Sequence, residues 1–373
     1  MPKISVVIVN YNARYFLKNC LSSVLRSKGL SDLEIIVVDN NSTDDSCEML
    51  KKDFPSIKLI QNKQNTGFSK ANNQGVAAAR GAYILILNPD TVVSSRTIQQ
   101  VYEFSSKTAD IGALGVQFID GSGSFLPESK RNFPGPKVAA LKILGFSKAY
   151  YAHQIEQGAI AQVDILTGAF MFIKKSVFEK VGGFDEDFFM YGEDIDLSYR
   201  IAQAGFKNYY LGTEVILHYK GESTSRDPAY LRNFYGAMHI FYKKQYKTNF
   251  IISGLMDRMV DAMVLINSRS LKNTEGPENK CVNWAYLGDN EMIFSKLQNK
   301  LPDASGIVIH EISKKAMEVD MLFFDSSYLS FTEIISCLAQ QKDLAFAKRI
   351  ISEDGSFYAG SDTSDGRGEV VLF

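Results

Sequence analysis

Asparagine and aspartate side chains recur at the ends of four predicted strands within the first 90 residues. They are Asn10 and Asn12, then Asp39, Asn40 and Asn41, then Asn62 and Asn65, and finally Asn88 and Asp90. In open α/β sheets, ligands bind beyond the carboxyl ends of the strands. Turn formation and helix capping are the simpler interpretation for any one of these residues. Their recurrence at four successive strand ends favours a polar binding site.

The chemistry of this site is constrained by the phosphate-binding motifs that the sequence lacks. It contains no G-x-x-x-x-G-K-[ST] loop and no G-x-G-x-x-G after the first strand, the motifs of P-loop and dinucleotide-binding proteins. A divalent cation held by carboxylates is the remaining way to bind a diphosphate. Asp90 follows the apolar run Tyr83–Leu87 almost directly, and its hard oxygen ligands suit Mg²⁺ or Mn²⁺.

Short apolar strands alternate with helical segments over roughly the first 120 residues, which predicts a mainly parallel α/β sheet with helices on both faces. The predicted strands are 4–9, 34–39, 57–61 and 83–87, and the predicted helices are 15–27, 44–53 and 69–80. Residues 42–45 predict the N-cap of the second helix and Ser69 that of the third. This arrangement brings the polar strand ends to one edge of the sheet.

Eight short motifs follow one another along roughly residues 3–245. They are VVIVNYN (6–12), VVDNNSTD (37–44), NTGF (65–68), LNPDT (87–91), TGA (167–169), GGFDE (182–186), GEDIDL (192–197) and HYKGES (218–223). With these motifs in this order, the chain resembles the family 2 glycosyltransferases, and their rhamnosyltransferase-like branch in particular. The resemblance implies the GT-A fold, a Rossmann-like mixed sheet with helices on both faces, here over residues 1–225.

The resemblance also implies roles for individual residues. Asp39 would contact the nucleotide base, and Asn88-Pro89-Asp90 takes the place of the metal-binding D-x-D element, with Asp90 as its anionic ligand. His218 is implied as a further ligand of Mg²⁺ or Mn²⁺, although alone it would be interpreted as an ordinary partly buried histidine. The other implied donor contacts are Asn10, Asn12, Asn65, Lys70, Asn88, Lys220 and Ser223.

The Glu193-Asp194 pair is implied to supply the catalytic carboxylate. Inverting glycosyl transfer needs a base that takes the proton of the acceptor hydroxyl. The resemblance points to Asp194 as this base and to Glu193 as an orienting group or an acceptor contact. Acidic residues are also favoured in the first turn of a helix, so both could cap a predicted helix over 195–204. Asp196 is interpreted as a capping or structural residue.

The charge of the chain is divided unevenly along its length. The 41 basic and 42 acidic residues sum to −1, which argues against a nucleic-acid partner. Residues 275–373 nevertheless contain 9 basic and 16 acidic residues, a net charge of −7, whereas residues 1–274 carry +6. The positive part suits anionic donors. The four cysteines form no C-x-x-C pair, and no signal peptide is predicted, which together favour a cytoplasmic protein.

Residues 226–272 are predicted to form an amphipathic helical region. Apolar residues recur at helical spacing over 231–242 and 252–264, and basic residues dominate the first of these stretches. A basic amphipathic helix can lie on a membrane surface, here at the inner face of the membrane. Packing against a domain or a second subunit is the favoured alternative, because Asp257 and Asp261 would be repelled by anionic lipid.

Residues 280–373 are predicted to form a second, smaller and acidic α/β domain with a Rossmann-like topology. The predicted strands are 282–287, 306–312, 320–325 and 344–350, and the predicted helices are 290–300 and 331–341. No phosphate-binding motif follows its first strand. We therefore favour an interaction or oligomerisation domain over a second catalytic centre.

The sequence predicts an inverting, metal-dependent glycosyltransferase. Its donor would be a UDP-, dTDP- or GDP-sugar and its acceptor a glycan or lipid-linked glycan. A non-catalytic nucleotide-sugar or glycan-binding protein on the same fold is the alternative. A sugar-nucleotide pyrophosphorylase is disfavoured, because residues 10–12 stand where its glycine-rich loop would be.

Overall fold

The computed structural model describes residues 3–29, 32–135, 149–221, 228–245, 281–311, 318–344, 346–363 and 368–373, together with the single residues 138 and 258. The first unit contains β1 Ile4–Asn10, α1 Arg14–Leu25, β2 Leu33–Asp39, α2 Ser46–Asp53, β3 Lys58–Gln61, α3 Phe68–Ala78, β4 Tyr83–Leu87, β5 Thr91–Val92, α4 Thr97–Lys107, β6 Ile111–Ile119, β7 Ile160–Val163, β8 Phe170–Lys174, α5 Lys175–Lys180, α6 Glu193–Gln203, β9 Lys207–His218 and α7 Pro228–Gln245.

These strands form one nine-stranded mixed sheet in the order β3-β2-β1-β4-β8-β6-β9-β5, with β7 paired to β9. The strands β3, β2, β1 and β4 are parallel, as the sequence predicts. Strand β8 runs antiparallel to β4 and to β6, whereas β6 and β9 are parallel. The carboxyl ends of β1, β2, β4 and β9 and the start of β8 therefore share one edge of the sheet.

Strand β1 shows why this sheet is buried on both faces. Val6 and Ile8 pack into a cluster with α1 and α4, whereas Val7 and Val9 pack into a second cluster with α3. Because successive side chains of a strand point to opposite faces, a continuous apolar run suits a sheet covered by helices on both sides.

The two predicted helix caps have different outcomes. Helix α2 is preceded by Asp45 in a left-handed conformation, whose side chain makes no cap hydrogen bond. Asp44, within the predicted residues 42–45, instead accepts the Ser46 amide at 3.2 Å. Helix α3 begins at Phe68 after Gly67, so that Ser69 is buried inside its first turn. Gly67 takes the cap position because its φ of +82° leads the chain past Phe189, whose carbonyl would lie 2.5 Å from any Cβ at this position.

The apolar side of α7 packs against the first unit. Ala237, Phe241 and Tyr242 form a buried cluster with Phe188. Lys244 on the same helix pairs with Asp185 and Asp187. This confirms packing against a domain for the apolar residues described in this helix. Apart from residue 258, the predicted helical stretch 252–264 lies outside the described residues, as do residues 272–280. Within the described part of the chain, no helix has the length and hydropathy needed to cross a membrane.

The second unit contains β10 Asn283–Leu287, α8 Glu291–Lys300, β11 Ser305–Ile309, β12 Met321–Asp325, α9 Phe331–Gln340, β13 Ala347–Ile351, β14 Phe357–Gly360 and β15 Glu369–Leu372. Its sheet has the order β11-β10-β12-β13-β14-β15, and the first four strands are parallel. The predicted Rossmann-like core is present. Strands β14 and β15, which pair antiparallel, were not predicted.

The two units share one hydrophobic cluster. Phe16 of α1 and Leu217 and Tyr219 at the end of β9 pack with Phe331 and Phe357 of the second unit. Polar contacts surround this cluster. Lys18 Nζ lies 2.6 Å from Asp354 Oδ2, the Ser95 amide donates to Thr332 Oγ1 at 3.0 Å, and the Arg26 guanidinium donates to the Ser326 carbonyl.

Two of these polar contacts lie at the ligand edge of the second sheet. Ser326 follows β12 and Asp354 follows β13, so both lie at carboxyl ends of parallel strands. In an open α/β sheet this is the edge where a ligand would bind. Here Lys18 of α1 and Arg26, which directly follows α1, contact these two positions.

Candidate active site

The polar residues at the ends of β1 and β2 bind each other. Asn10 and Asp39 are register partners in the sheet, and the Asn10 amide donates to Asp39 Oδ1 at 2.9 Å. The other carboxylate oxygen, Asp39 Oδ2, accepts from the Ser42 amide at 2.9 Å. Asn12 Oδ1 accepts from the Thr43 amide at 2.8 Å. Asp39 is therefore fixed at the sheet edge by contacts to both of its carboxyl oxygens.

Asn40 organises the next part of this edge, and sequence reasoning gave it no individual role. Its side-chain amide donates to Asn65 Oδ1 at 2.8 Å, and its Oδ1 accepts from the Thr66 amide at 3.0 Å and from Asn62 at 3.1 Å. Asn40 is buried and uses both ends of its side chain. It holds the loop that follows β3 against the end of β2.

Asp90 and His218 form a buried pair at the other side of the edge. The turn after β4 carries Asp90 next to β5, and Thr91 is the register partner of His218 in β9. The atoms His218 Nε2 and Asp90 Oδ1 are 3.4 Å apart. Asp90 Oδ1 and His218 Nδ1 are both buried without a hydrogen-bond partner among the described residues. Unpaired buried polar atoms are costly, and a hard divalent cation would satisfy the carboxylate.

These two side chains fit a cation as a partial ligand set. Carboxylate oxygen is the ligand type that Mg²⁺ and Mn²⁺ prefer. Among the described residues, His, Cys, Asp and Glu side chains do not come together in threes as a metal-binding group. A bound cation would therefore complete its coordination with oxygen atoms from substrate and water, which is usual for Mg²⁺ at phosphate sites.

Asp194 lies in the first turn of α6, which begins directly after Gly192. The Arg131 guanidinium donates to Asp194 Oδ2 at 2.7 Å, and the Gly168 amide donates to the same oxygen at 3.2 Å. Both partners of the ion pair are buried, with side-chain exposures of 8% and 12%. Arg131 is fixed in turn by the Leu166 carbonyl and the Tyr150 hydroxyl. The base candidate is therefore held rigidly at the sheet edge.

Glu193 differs from its neighbour in its surroundings. Its Oε2 atom is buried without a hydrogen-bond partner in the described part of the chain. Burial and the negative charge of Asp194 raise the pKa of Glu193 to about 8. Burial and the neighbouring charge therefore favour the protonated form of Glu193, which can donate a hydrogen bond.

Comparison with known proteins gives this site a family. The model of "Glycosyl transferase family 2" matches residues 5–182, and the model of "N-terminal domain of galactosyltransferase" matches residues 159–225. The chain belongs to the family 2 glycosyltransferases. The two matches together span every candidate site residue from Asn10 to Ser223.

Sequence relatives include members of the rhamnosyltransferase-like branch. The N-acetylglucosaminyl-diphospho-decaprenol L-rhamnosyltransferase of Mycobacterium tuberculosis is 29% identical over 242 residues, which is 60% of this chain and 78% of the relative. A low-salt glycan biosynthesis hexosyltransferase of Haloferax volcanii is 29% identical over 204 residues, which is 54% of this chain and 62% of the relative.

Solved structures with a similar fold include a mannosyltransferase and S. aureus TarS. A mannosyltransferase of Pyrobaculum calidifontis in complex with GDP-Man and Mn²⁺ has a TM-score of 0.48 and 15% identity, covering 73% of this chain and 76% of that chain. Residues 1–349 of S. aureus TarS have a TM-score of 0.46 and 15% identity, covering 98% of both chains.

Not every predicted donor contact of this glycosyltransferase joins the site in the same way. Asn88 Oδ1 is buried without a partner within the described residues, next to Asp90. Lys70 is exposed in the first turn of α3. Lys220 follows His218 and pairs with Glu128, as its Nζ lies 2.7 Å from Glu128 Oε1. Ser223 lies outside the described residues.

Sequence reasoning missed Arg131 and Glu128 in this glycosyltransferase. Both lie in the stretch 114–168, which carries none of the motifs until residue 167. Arg131 reaches Asp194 because bridges to Tyr151 and Ile165 fold this stretch back over the site. Burial opposes the charge of Glu128, but Lys220 and, more weakly, His218 hold the pKa of its carboxyl below the usual range. Local spacing contains no signal for either contact.

Proposed function

We propose that this glycosyltransferase works by a single inverting displacement, with Asp194 as general base and a divalent cation at Asp90 and His218. The observation that supports this most directly is the buried Arg131–Asp194 pair at the same sheet edge as the Asp90–His218 pair. A base on the acceptor side and positive charge on the leaving-group side are the two requirements of such a displacement.

In the proposed step, Asp194 takes the proton of an acceptor hydroxyl while the oxygen of that hydroxyl forms a bond to C1 of the donor sugar. The bond from C1 to the diphosphate oxygen breaks, and the nucleoside diphosphate leaves with the electron pair. Arg131 and the Gly168 amide keep the carboxylate of Asp194 aimed during this step. Protonated Glu193 donates a hydrogen bond and does not compete as a base.

Asp90 and His218 would hold Mg²⁺ or Mn²⁺, and the bound cation would supply positive charge to the departing diphosphate. Asp39 would accept a hydrogen bond from an N–H of the nucleotide base. Uracil, thymine and guanine all present such a group, so UDP-, dTDP- and GDP-sugars are the donor class. Asn10 and Ser42 hold Asp39 in place for this contact.

The proposed acceptor is a glycan or a lipid-linked glycan in cell-surface glycan assembly. The name of the Mycobacterium tuberculosis relative describes rhamnosyl transfer to N-acetylglucosaminyl-diphospho-decaprenol. Residues 1–274 carry a net charge of +6, which suits a diphosphate-linked acceptor. We place this activity in the cytoplasm, with a peripheral contact at the inner membrane face and the possibility of a homo-oligomer, and without a nucleic-acid partner.

Turnover against a panel of UDP-, dTDP- and GDP-sugars tests this proposal. We expect one donor class to be consumed, EDTA to abolish turnover, and Mg²⁺ or Mn²⁺ to restore it. NMR of the product should show an inverted anomeric configuration. Full turnover in EDTA would overturn the roles of Asp90 and His218, and a retained configuration would exclude the single displacement.

A further inference from the structure

Lys220 and Glu128 form an ion pair inside the candidate site. The distance from Lys220 Nζ to Glu128 Oε1 is 2.7 Å, and the side chains are 39% and 15% exposed. Lys220 is therefore reachable from solvent while its partner is largely enclosed. A long, flexible lysine of this kind can change partners without a rearrangement of the fold.

The position of Lys220 relates this pair to the metal end of the site. Lys220 comes two residues after His218 and has a left-handed backbone with φ of +65°, followed by Gly221 with φ of +88°. This turn brings the lysine back towards Glu128. The proposed diphosphate would bind beside His218, within reach of the Lys220 ammonium group.

The position of Glu128 relates the pair to the base end. Glu128 lies in the short 3-10 turn Pro127–Ser129, and its carbonyl accepts the Thr167 hydroxyl at 2.5 Å. Thr167 precedes Gly168, whose amide binds Asp194. The Glu128 carboxylate thus contacts the turn after His218, while its backbone contacts the residue before Gly168. A diphosphate that draws Lys220 away leaves this carboxylate without its cation, so the carboxylate favours the return of the lysine.

We propose that Glu128 holds Lys220 in the empty site, gives it up to the diphosphate of the bound donor, and takes it back when the nucleoside diphosphate leaves. Glu128 is then a positioning residue that competes with the diphosphate for the ammonium group of Lys220. This inference rests on the proposed function, because it requires a nucleotide-sugar donor. Because Glu128 takes Lys220 back, the nucleoside diphosphate should leave faster than it would from a site that has Lys220 but no Glu128 carboxylate.

The test is calorimetric binding of UDP, dTDP or GDP in Mg²⁺, using whichever the wild-type protein binds most tightly. Glu128→Gln removes the competing charge but keeps the side-chain size, so we expect affinity to rise about threefold or more, the scale of a partly exposed ion pair. Lys220→Met should lower affinity about tenfold or more, the scale of a charge-assisted phosphate contact. Glu128→Asp keeps the charge on a shorter arm and should fall between the wild type and Glu128→Gln.

A double-mutant cycle identifies the exchange itself. When Lys220→Met is already present, Glu128→Gln should give no further rise in affinity, because the cation for which it competes is gone. Glu34→Gln is the matched control, since Glu34 pairs with Arg80 at 2.8 Å near the opposite end of β2. It should leave nucleoside diphosphate affinity unchanged.

Three results would overturn the inference. The first is unchanged or weaker binding by both Glu128 variants, and the second is an equal rise in affinity with and without Lys220. In either case, wild-type turnover of a nucleotide-sugar would leave the proposed function standing. The third is a wild-type protein that neither binds a nucleoside diphosphate nor consumes a donor, which would overturn both proposals together.

Discussion

At the scale of single residues, Asp194 and Glu193 are neighbours with different electrostatic surroundings. Asp194 has a buried arginine partner and a backbone donor, whereas one oxygen of Glu193 has neither. Two adjacent carboxylates in a buried site do not both ionise easily. Arg131 and the Gly168 amide hold Asp194 in place, whereas the pKa of Glu193 is raised by burial and by the charge of Asp194. This difference supports the division of roles into base and hydrogen-bond donor.

Asp194→Asn tests the base assignment. The amide can still accept a hydrogen bond from Arg131 but cannot take a proton, so we expect turnover to fall by about 10²-fold or more. Donor affinity, measured by calorimetry, should not change. Asp196→Asn is the control, because Asp196 is buried and binds Arg200 at 2.7 Å. It should lower stability while folded protein retains its turnover. Near-wild-type turnover of Asp194→Asn would be incompatible with its role as base.

The raised pKa of Glu193 predicts a pH dependence of stability. Burial and the charge of Asp194 raise this pKa to about 8, whereas an exposed glutamate in the unfolded chain titrates near 4.3. Between these values the folded protein binds more protons than the unfolded chain, so the free energy of unfolding should fall as the pH rises. Urea unfolding at several pH values should show a shallower fall for Glu193→Gln. Parallel curves for the two proteins would contradict the prediction.

At the scale of elements, the sequence predicts the parallel strands and the edge of the sheet where they end. Apolar runs such as 83–87 and the polar residues that follow them identify the parallel strands and their ligand edge. Caps were harder to predict, because at Gly67 and Gly192 the chain turns through positive φ rather than using a polar side chain. The pair β14–β15 was missed because an antiparallel extension follows no crossover helix.

Gly192 determines how α6 presents its first turn. Its φ is +76°, and an added Cβ would lie 3.0 Å from Ala237 Cβ, so Gly192→Ala meets both backbone strain and a clash. We expect a loss of stability of about 1–2 kcal/mol or more and a loss of turnover through displaced Asp194. Gly205→Ala at the other end of the helix has φ of +86° with open space around it. It should cost similar backbone strain, measured by denaturation, with turnover retained. Equal effects of both variants on turnover would argue against this role.

At the scale of the whole molecule, the two units share one hydrophobic core cluster. Phe16, Leu217 and Tyr219 of the first unit and Phe331 and Phe357 of the second belong to one cluster. Tyr219 is next to His218, so the second unit supports the strand that carries the candidate metal ligand. The sequence indicated two α/β units and their opposite charges. It could not indicate their contact, because that depends on residues more than 300 positions apart, such as Lys18 and Asp354.

This shared cluster predicts joint unfolding. Calorimetry should show a single cooperative transition, because neither unit can open without exposing the common apolar surface. A chain that ends at residue 280 should aggregate and lose turnover, although it retains every candidate site residue. Two separate transitions, or an active chain of 280 residues, would contradict this view.

Lys18→Met removes the contact with Asp354. It should lower the free energy of unfolding by about 1 kcal/mol or less, because the pair is partly exposed.

At the edge of the second sheet where a nucleotide would ordinarily enter, the residues that follow β12 and β13 contact Arg26 and Lys18 of the first unit. A second unit that docks in this way therefore needs matching side chains in α1 and directly after it. Transplanting residues 281–373 onto another glycosyltransferase should fail unless Phe16, Lys18 and Arg26 are transplanted with them. A search for proteins of the same architecture would accordingly look for these three positions, two in α1 and one directly after it, together with the acidic second unit.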